Sequence, residues 1–169
     1  MADRLASPLH IVQDAGLTPL HADALAALHH IAAQVAYAHK LPNAVQLVLI
    51  DDDYMSDLNT TYRGKEGTTD VLSFDLGTIP GQNSNGEVYI SLPQVQRQAI
   101  ALSVPPLVEL ARLLVHGLLH LAGWVHDTSE QLDAMEHETD HFLTTASHSP
   151  QATLAGRFTE RSLFGTPTS

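Results

Sequence analysis

Apolar residues recur along this chain with two different periods, and the switches between them predict the elements. Leu9, Ile11 and Val12 suggest a short strand within an otherwise uninformative N-terminal stretch. From Thr18-Pro19 onward, Leu25, Leu28, Ala32 and Val35 recur at helical spacing, which predicts a helix with Thr18 as N-cap and Pro19 at its first position. Val45 to Ile50 is β-rich and predicts a strand. The run Asp51-Asp52-Asp53 ends that strand and opens a helix carrying Met55, Leu58 and Tyr62. Carboxylates there cap free amides and suit the helix dipole, a reading favoured over a metal site. Residues 58–65 predict a loop, Val71 to Phe74 a strand, Gly77 to Gly86 a turn-rich connection and Gly86 to Ser91 another strand. Pro93 opens a helix through about Leu102, Pro105-Pro106 opens a second, and Glu130 to Leu143 reads as the last.

The helix after Pro106 stands apart. Leu107, Val108, Leu110, Ala111, Leu113, Leu114, Val115, Leu118, Leu119 and Leu121 cover all its faces, the pattern of a helix buried in a core. The succession of helices and strands suggests an α+β fold, a small mixed β-sheet packed with helices around this central one. The length suits one domain, taken as residues 1–146, followed by a loosely held tail over 147–169 that is rich in Ser, Thr, Gly and Pro. Phe158, Leu163 and Phe164 are the tail residues able to dock.

The central helix carries His116 and His120, four residues apart and therefore on one face. His126 lies too far along to join them on a straight helix, but Gly123 intervenes, and glycine lets the chain turn back. Three neutral ring nitrogens with an open fourth position make a catalytic-type zinc site. Two core histidines bonded to carbonyls are the plainer reading of HxxxH alone; Gly123 and His126 at this spacing favour the metal. The pattern HxxxHxxGxxH also matches the helical part of the metzincin signature, except that Gly117 stands where those peptidases carry their glutamate base.

A second set of matches is more extensive. His116-Gly117-Leu118-Leu119-His120-Leu121-Ala122-Gly123-Trp124-Val125-His126 resembles the HGxLHLxGYDH signature of the YbeY family, with Trp124-Val125 in place of Tyr-Asp. The absent acid is expected to weaken a contact that orients a ligand, and Asp127 is the neighbouring candidate to replace it. The segment from Leu58 through Tyr62-Arg63-Gly64-Lys65 to Thr69-Asp70-Val71-Leu72-Ser73-Phe74 is similar to that family's LNxxYRGKxxxTDVLSF, and Gly86 to Ser91 also matches. The resemblance covers roughly residues 45–128. It implies an α+β metal-dependent endoribonuclease of single-stranded RNA, acting in ribosomal RNA processing and ribosome quality control. It also implies partners: ribosomal RNA, the small ribosomal subunit and its assembly factors. On this reading His116, His120 and His126 hold one Zn²⁺, His116 and Arg63 serve catalysis, and the base is either hydroxide on the metal or the RNA 2′-OH.

Composition bears on this in three ways. There is no cysteine, so any metal must sit on His, Asp or Glu. Nothing approaches a secretory signal or the roughly 20 apolar residues of a membrane span, which predicts a cytoplasmic protein with no membrane partner. The net charge of −11, with only eight Lys and Arg, argues against a broad phosphate-binding surface. A local cluster at Arg63 and Lys65, a metal and a ribosomal partner would have to supply the affinity. Two other function classes stay in view: a zincin-like metallopeptidase, and a non-catalytic ribosome-assembly factor with a structural metal. His137-Glu138-Thr139-Asp140-His141 is a literal HExxH, but His137 and His141 fall opposite the stripe of Leu132, Met135, Phe142 and Leu143 and are read as solvated. So are His21, His29, His30 and His39.

Overall fold

The structure, a computed structural model, describes residues 8–41, 44–64, 69–75, 84–148 and 163–164. Its elements in chain order are β1 (Leu9–Gln13), α1 (Ala22–His39), β2 (Ala44–Ile50), α2 (Asp52–Arg63), β3 (Val71–Asp75), β4 (Ser84–Ser91), α3 (Leu92–Leu102), α4 (Pro106–Leu121) and α5 (Ser129–His148). The four strands form one mixed sheet in the order β1-β2-β4-β3. β1, β2 and β4 run parallel, and β3 pairs antiparallel with β4 at the edge. Parallel neighbours need a crossover between them, which α1 supplies between β1 and β2. The expected α+β architecture with a central buried helix is the one observed.

The helix α4 is central because its apolar residues find partners on every side. Leu110, Leu114 and Leu118 are buried among Leu28, Ile31 and Val35 of α1, Leu47 and Val88 of the sheet, and Met135 of α5. Fully burying one such leucine is worth about 1.5–3 kcal/mol. The opposite face of the sheet carries a smaller cluster, in which Ile50 and Leu72 cover Met55 of α2. β3 therefore serves both layers: Ser73 Oγ donates to the Gly117 carbonyl of α4 at 3.3 Å, while Leu72 and Phe74 face α2. Among the described residues no single helix is long and apolar enough to cross a membrane.

Gly117 is where α4 lies closest to the sheet. A Cβ there would stand 2.7 Å from Val88 Cγ1 and 3.1 Å from Ser73 Oγ. Val88 is buried and β-branched, so its methyl has little room to yield. Gly117→Ala is thus expected to lower the melting temperature. Overpacking costs roughly 1–3 kcal/mol, and the helix propensity gained, about 1 kcal/mol, offsets only part of it. Unchanged thermal unfolding in that variant would show that α4 can withdraw from the sheet.

Several boundaries differ from those predicted. α1 begins at Ala22, four residues after Thr18, and its N-cap is His21, whose ring nitrogen Nδ1 accepts from the Asp23 amide at 3.1 Å. The predicted loop over 58–65 is helical through Arg63, because Gly64 at φ 63° provides the left-handed C-cap only there. Asp51 does cap α2, with its Oδ1 2.8 Å from the Tyr54 amide, in agreement with the capping reading of the acidic run. α5 runs past residue 146 to His148, and Leu132 in its predicted stripe is exposed, while Thr139 is buried and donates to the Met135 carbonyl. In the tail, Leu163 is fully buried in the core, its carbonyl accepts from the His21 amide at 2.9 Å, and Phe164 packs nearby. At these two residues the tail is docked. Phe158, Lys65 and most of the predicted 77–86 connection lie outside the described residues.

Candidate metal centre

The last turns of α4 and the bend after it bring His116, His120 and His126 together. Gly123 adopts φ 100°, a left-handed conformation that glycine enters without a Cβ penalty. The Ala122, Gly123 and Trp124 amides donate to the free carbonyls of Leu118, His120 and Leu119, closing the helix end. The chain then doubles back, and one ring nitrogen from each histidine lies within 4.8 Å of the others. His116 Nε2 and His120 Nε2 are 3.1 Å apart. Two nitrogens on a tetrahedral zinc, at bond lengths of about 2.0–2.1 Å, would be separated by about 3.3 Å, so this pair fits one ion.

The tautomer of His120 follows from its partner. A carbonyl oxygen can only accept, so the 2.9 Å contact between His120 Nδ1 and the Trp124 carbonyl makes Nδ1 the protonated nitrogen. Nε2 is left with its lone pair directed at the cluster, the arrangement a metal requires. The orienting group is main chain, so the family's Tyr-Asp pair is not needed for this contact. The Trp124 ring instead packs edge-on against His39 at 5.6 Å. Asp127 is exposed, with its backbone amide donating to Gln131 Oε1.

Burial pushes the His116 imidazolium down to about pKa 4, and repulsion from His120, His126 and Arg112 adds to it, while Asp70 opposes it. His116 is therefore neutral at ordinary pH and has a lone pair to offer. Arg112 belongs to the same ridge of α4, at spacings of four from His116 and eight from His120. Its guanidinium makes a two-pronged contact with buried Glu109, at 2.9 and 2.6 Å. In the sequence Arg112 belongs to no motif, and only its i, i+4, i+8 spacing with His116 and His120 marks it.

A cavity of about 530 Å³ opens over the cluster, lined by the three histidines, Tyr62 and residues 69–74. Asp70 at its wall accepts from Gln98 Nε2 at 3.1 Å. In the sequence Asp70 and Ser73 stand out only as part of a family motif, and their nearness to the histidines is a product of the fold. Arg63 ends α2 next to Gly64, one residue beyond Tyr62, and its side chain lies outside the described set. His137 and His141 are exposed on α5, as predicted, and do not join the cluster. Replacing both by Ala is expected to leave the metal content unchanged and stability within about 0.5 kcal/mol. Metal loss in that double variant would relocate the site to α5. His39 is not a solvated residue: it bonds Glu138 at 3.0 Å and packs on Phe142 and Trp124.

A mixed four-stranded sheet bearing three imidazoles on a buried helix and its following turn defines a protein with a candidate mononuclear metal centre. The family model described as Endoribonuclease YbeY matches residues 14–147, and the chain belongs to that family. A relative from Moorella thermoacetica with the same description is 35% identical over 137 residues, covering 74% of this chain and 88% of the relative. One from Persephonella marina is 40% identical over 90 residues, 52% of this chain and 59% of the relative. The chain thus spans about three fifths of the length of that relative. The solution structure of TM1509 from Thermotoga maritima shares the fold, with a TM-score of 0.56 at 22% identity, covering 84% of this chain and 93% of that one.

Proposed function

We propose that this chain is a zinc-dependent endoribonuclease that cuts single-stranded RNA, with His116, His120 and His126 as the metal ligands. The observation that carries this reading is the set of three imidazoles opening onto a cavity, in a member of a family described as endoribonucleases. When bound, the metal supplies Lewis acidity to a phosphodiester. The chain's residues do the rest. Trp124 fixes the His120 tautomer, burial keeps His116 neutral, and Arg63 balances charge as it builds on the phosphate. Ribosomal RNA precursors are the proposed substrate. The small ribosomal subunit and its assembly factors are the proposed partners, which compensate for a chain with net charge −11.

The peptidase alternative is disfavoured by position 117, which faces Val88 and has no room for a glutamate base. A purely structural metal is disfavoured by the donor count, since structural zinc is normally closed by four protein ligands and three cluster here among the described residues. The test is metal analysis of the pure protein paired with a nuclease assay on single-stranded RNA before chelation, after chelation and after zinc is restored. Cleavage should vanish and return. Cleavage indifferent to chelation would overturn the reading, and zinc-dependent cleavage of casein without RNA cleavage would favour the peptidase.

A further inference from the structure

Helix α2 places Met55, Leu58 and Tyr62 on one inward stripe, at spacings of three and four. Met55 is fully buried beneath the sheet and Leu58 is packed beside it, yet Tyr62 is 65% exposed. Tyr62 stands in the last turn of α2, beside Phe74 of the edge strand β3. Its ring meets Phe74 edge-on at 5.2 Å, and Phe74 meets Tyr89 edge-on at 5.6 Å. Tyr89 is held in turn by the hydrogen bond it donates to Glu87. A braced aromatic ring with open surface thus borders the cavity that also contains the three histidines.

Charge narrows what such a ring could hold. None of the described side chains lining the cavity is Lys or Arg, and Asp70 is among them. Beyond the metal and Arg63, which act on the phosphate, a strand held there gains from a contact that does not depend on positive charge. Nucleobases have π-faces that stack on aromatic rings whatever the sequence, and only an unpaired base has a face free.

Resting on the nuclease reading above, we propose that Tyr62, braced by Phe74, is the stacking platform for an unpaired base of the RNA strand whose phosphate lies at the histidine centre. Tyr62 is a positioning residue: it holds the strand over the β3 edge and favours single strands over duplex.

The test uses the zinc-loaded full chain with Tyr62→Leu and Tyr62→Phe variants, and short single-stranded RNAs carrying the fluorescent base 2-aminopurine at successive positions. Wild type should quench the fluorescence at one position on mixing, before turnover. Tyr62→Leu should lose that quench and bind about tenfold or more weakly, with KM raised more than kcat is lowered. Tyr62→Phe should restore both, since the ring and not the hydroxyl carries the contact. The salt dependence of binding should keep the same slope in Tyr62→Leu, because no phosphate contact is lost. Unchanged zinc content in both variants checks that the site has stayed folded. If wild type binds and cleaves RNA but Tyr62→Leu quenches and binds as well as wild type, the platform is wrong and the nuclease reading stands. If wild type neither binds nor cleaves single-stranded RNA, the nuclease reading falls and takes the platform with it.

Discussion

His120→Ala is expected to purify with its metal content reduced from about one ion per chain to nearly none, and His116→Ala likewise. The three donors come from a helix end and the turn after it, with nitrogens within 4.8 Å, and no carboxylate joins them among the described residues. Loss of any one leaves an incomplete site. His120 is the more informative change, since its removal also frees the Trp124 carbonyl that orients it. His126→Ala should show a clear but smaller drop, because His126 is the exposed member and solvent can take its place. RNA cleavage should fall in parallel with metal in all three. Elemental analysis decides the matter: stoichiometric zinc in His120→Ala would remove the assignment.

Arg63→Ala should separate chemistry from metal binding. The residue is the last of α2, and Gly64 with its αL conformation ends the helix whatever side chain precedes it. The variant is therefore expected to keep its zinc and its fold, since the helix end does not depend on the side chain at this position. Cleavage of single-stranded RNA should drop on the order of 100-fold, the scale on which one donor aimed at developing charge is usually missed. Arg63→Lys should recover only part, because an ammonium cannot form the two-pronged phosphate contact. Binding should also become less salt-dependent, by about 0.7 in the log–log slope for one lost contact to a single strand. This signature distinguishes Arg63 from Tyr62, for which affinity falls at constant slope. Wild-type turnover in zinc-loaded Arg63→Ala would make Arg63 an ordinary surface residue.

Acid should weaken the metal-free protein through His116. Its folded-state pKa, about 4, lies below the ordinary histidine value of 6.5. The unfolded chain therefore takes up the proton first as pH falls. The stabilisation is complete above pH 6.5 and is lost as pH drops towards 4. Urea midpoints of the metal-free protein should decline across that window, and His116→Ala should flatten the decline.

Much of this molecule was legible in the chain itself because the signals were local. The all-apolar run after Pro106 required a buried helix, and α4 is one, with Leu110, Leu114 and Leu119 fully buried. Spacing of four put His116 and His120 on one face, and Gly123 marked where the chain turns back to carry His126 towards them. Asp51 capped α2 for reasons contained in the residues beside it. The outward face of His137 and His141 was likewise a matter of helical phase. What tertiary structure alone decided depends on partners distant in sequence. That Gly117 must lack a side chain is dictated by Val88, 29 positions away. His39, read as solvated, is covered because Trp124 and Phe142 arrive from the other end of the chain. Leu163 is buried by docking into a core formed long before it in sequence. Tyr62 and Asp70 line one cavity with the histidines because the edge strand β3 lies beside α4, and a one-dimensional pattern contains no sheet order.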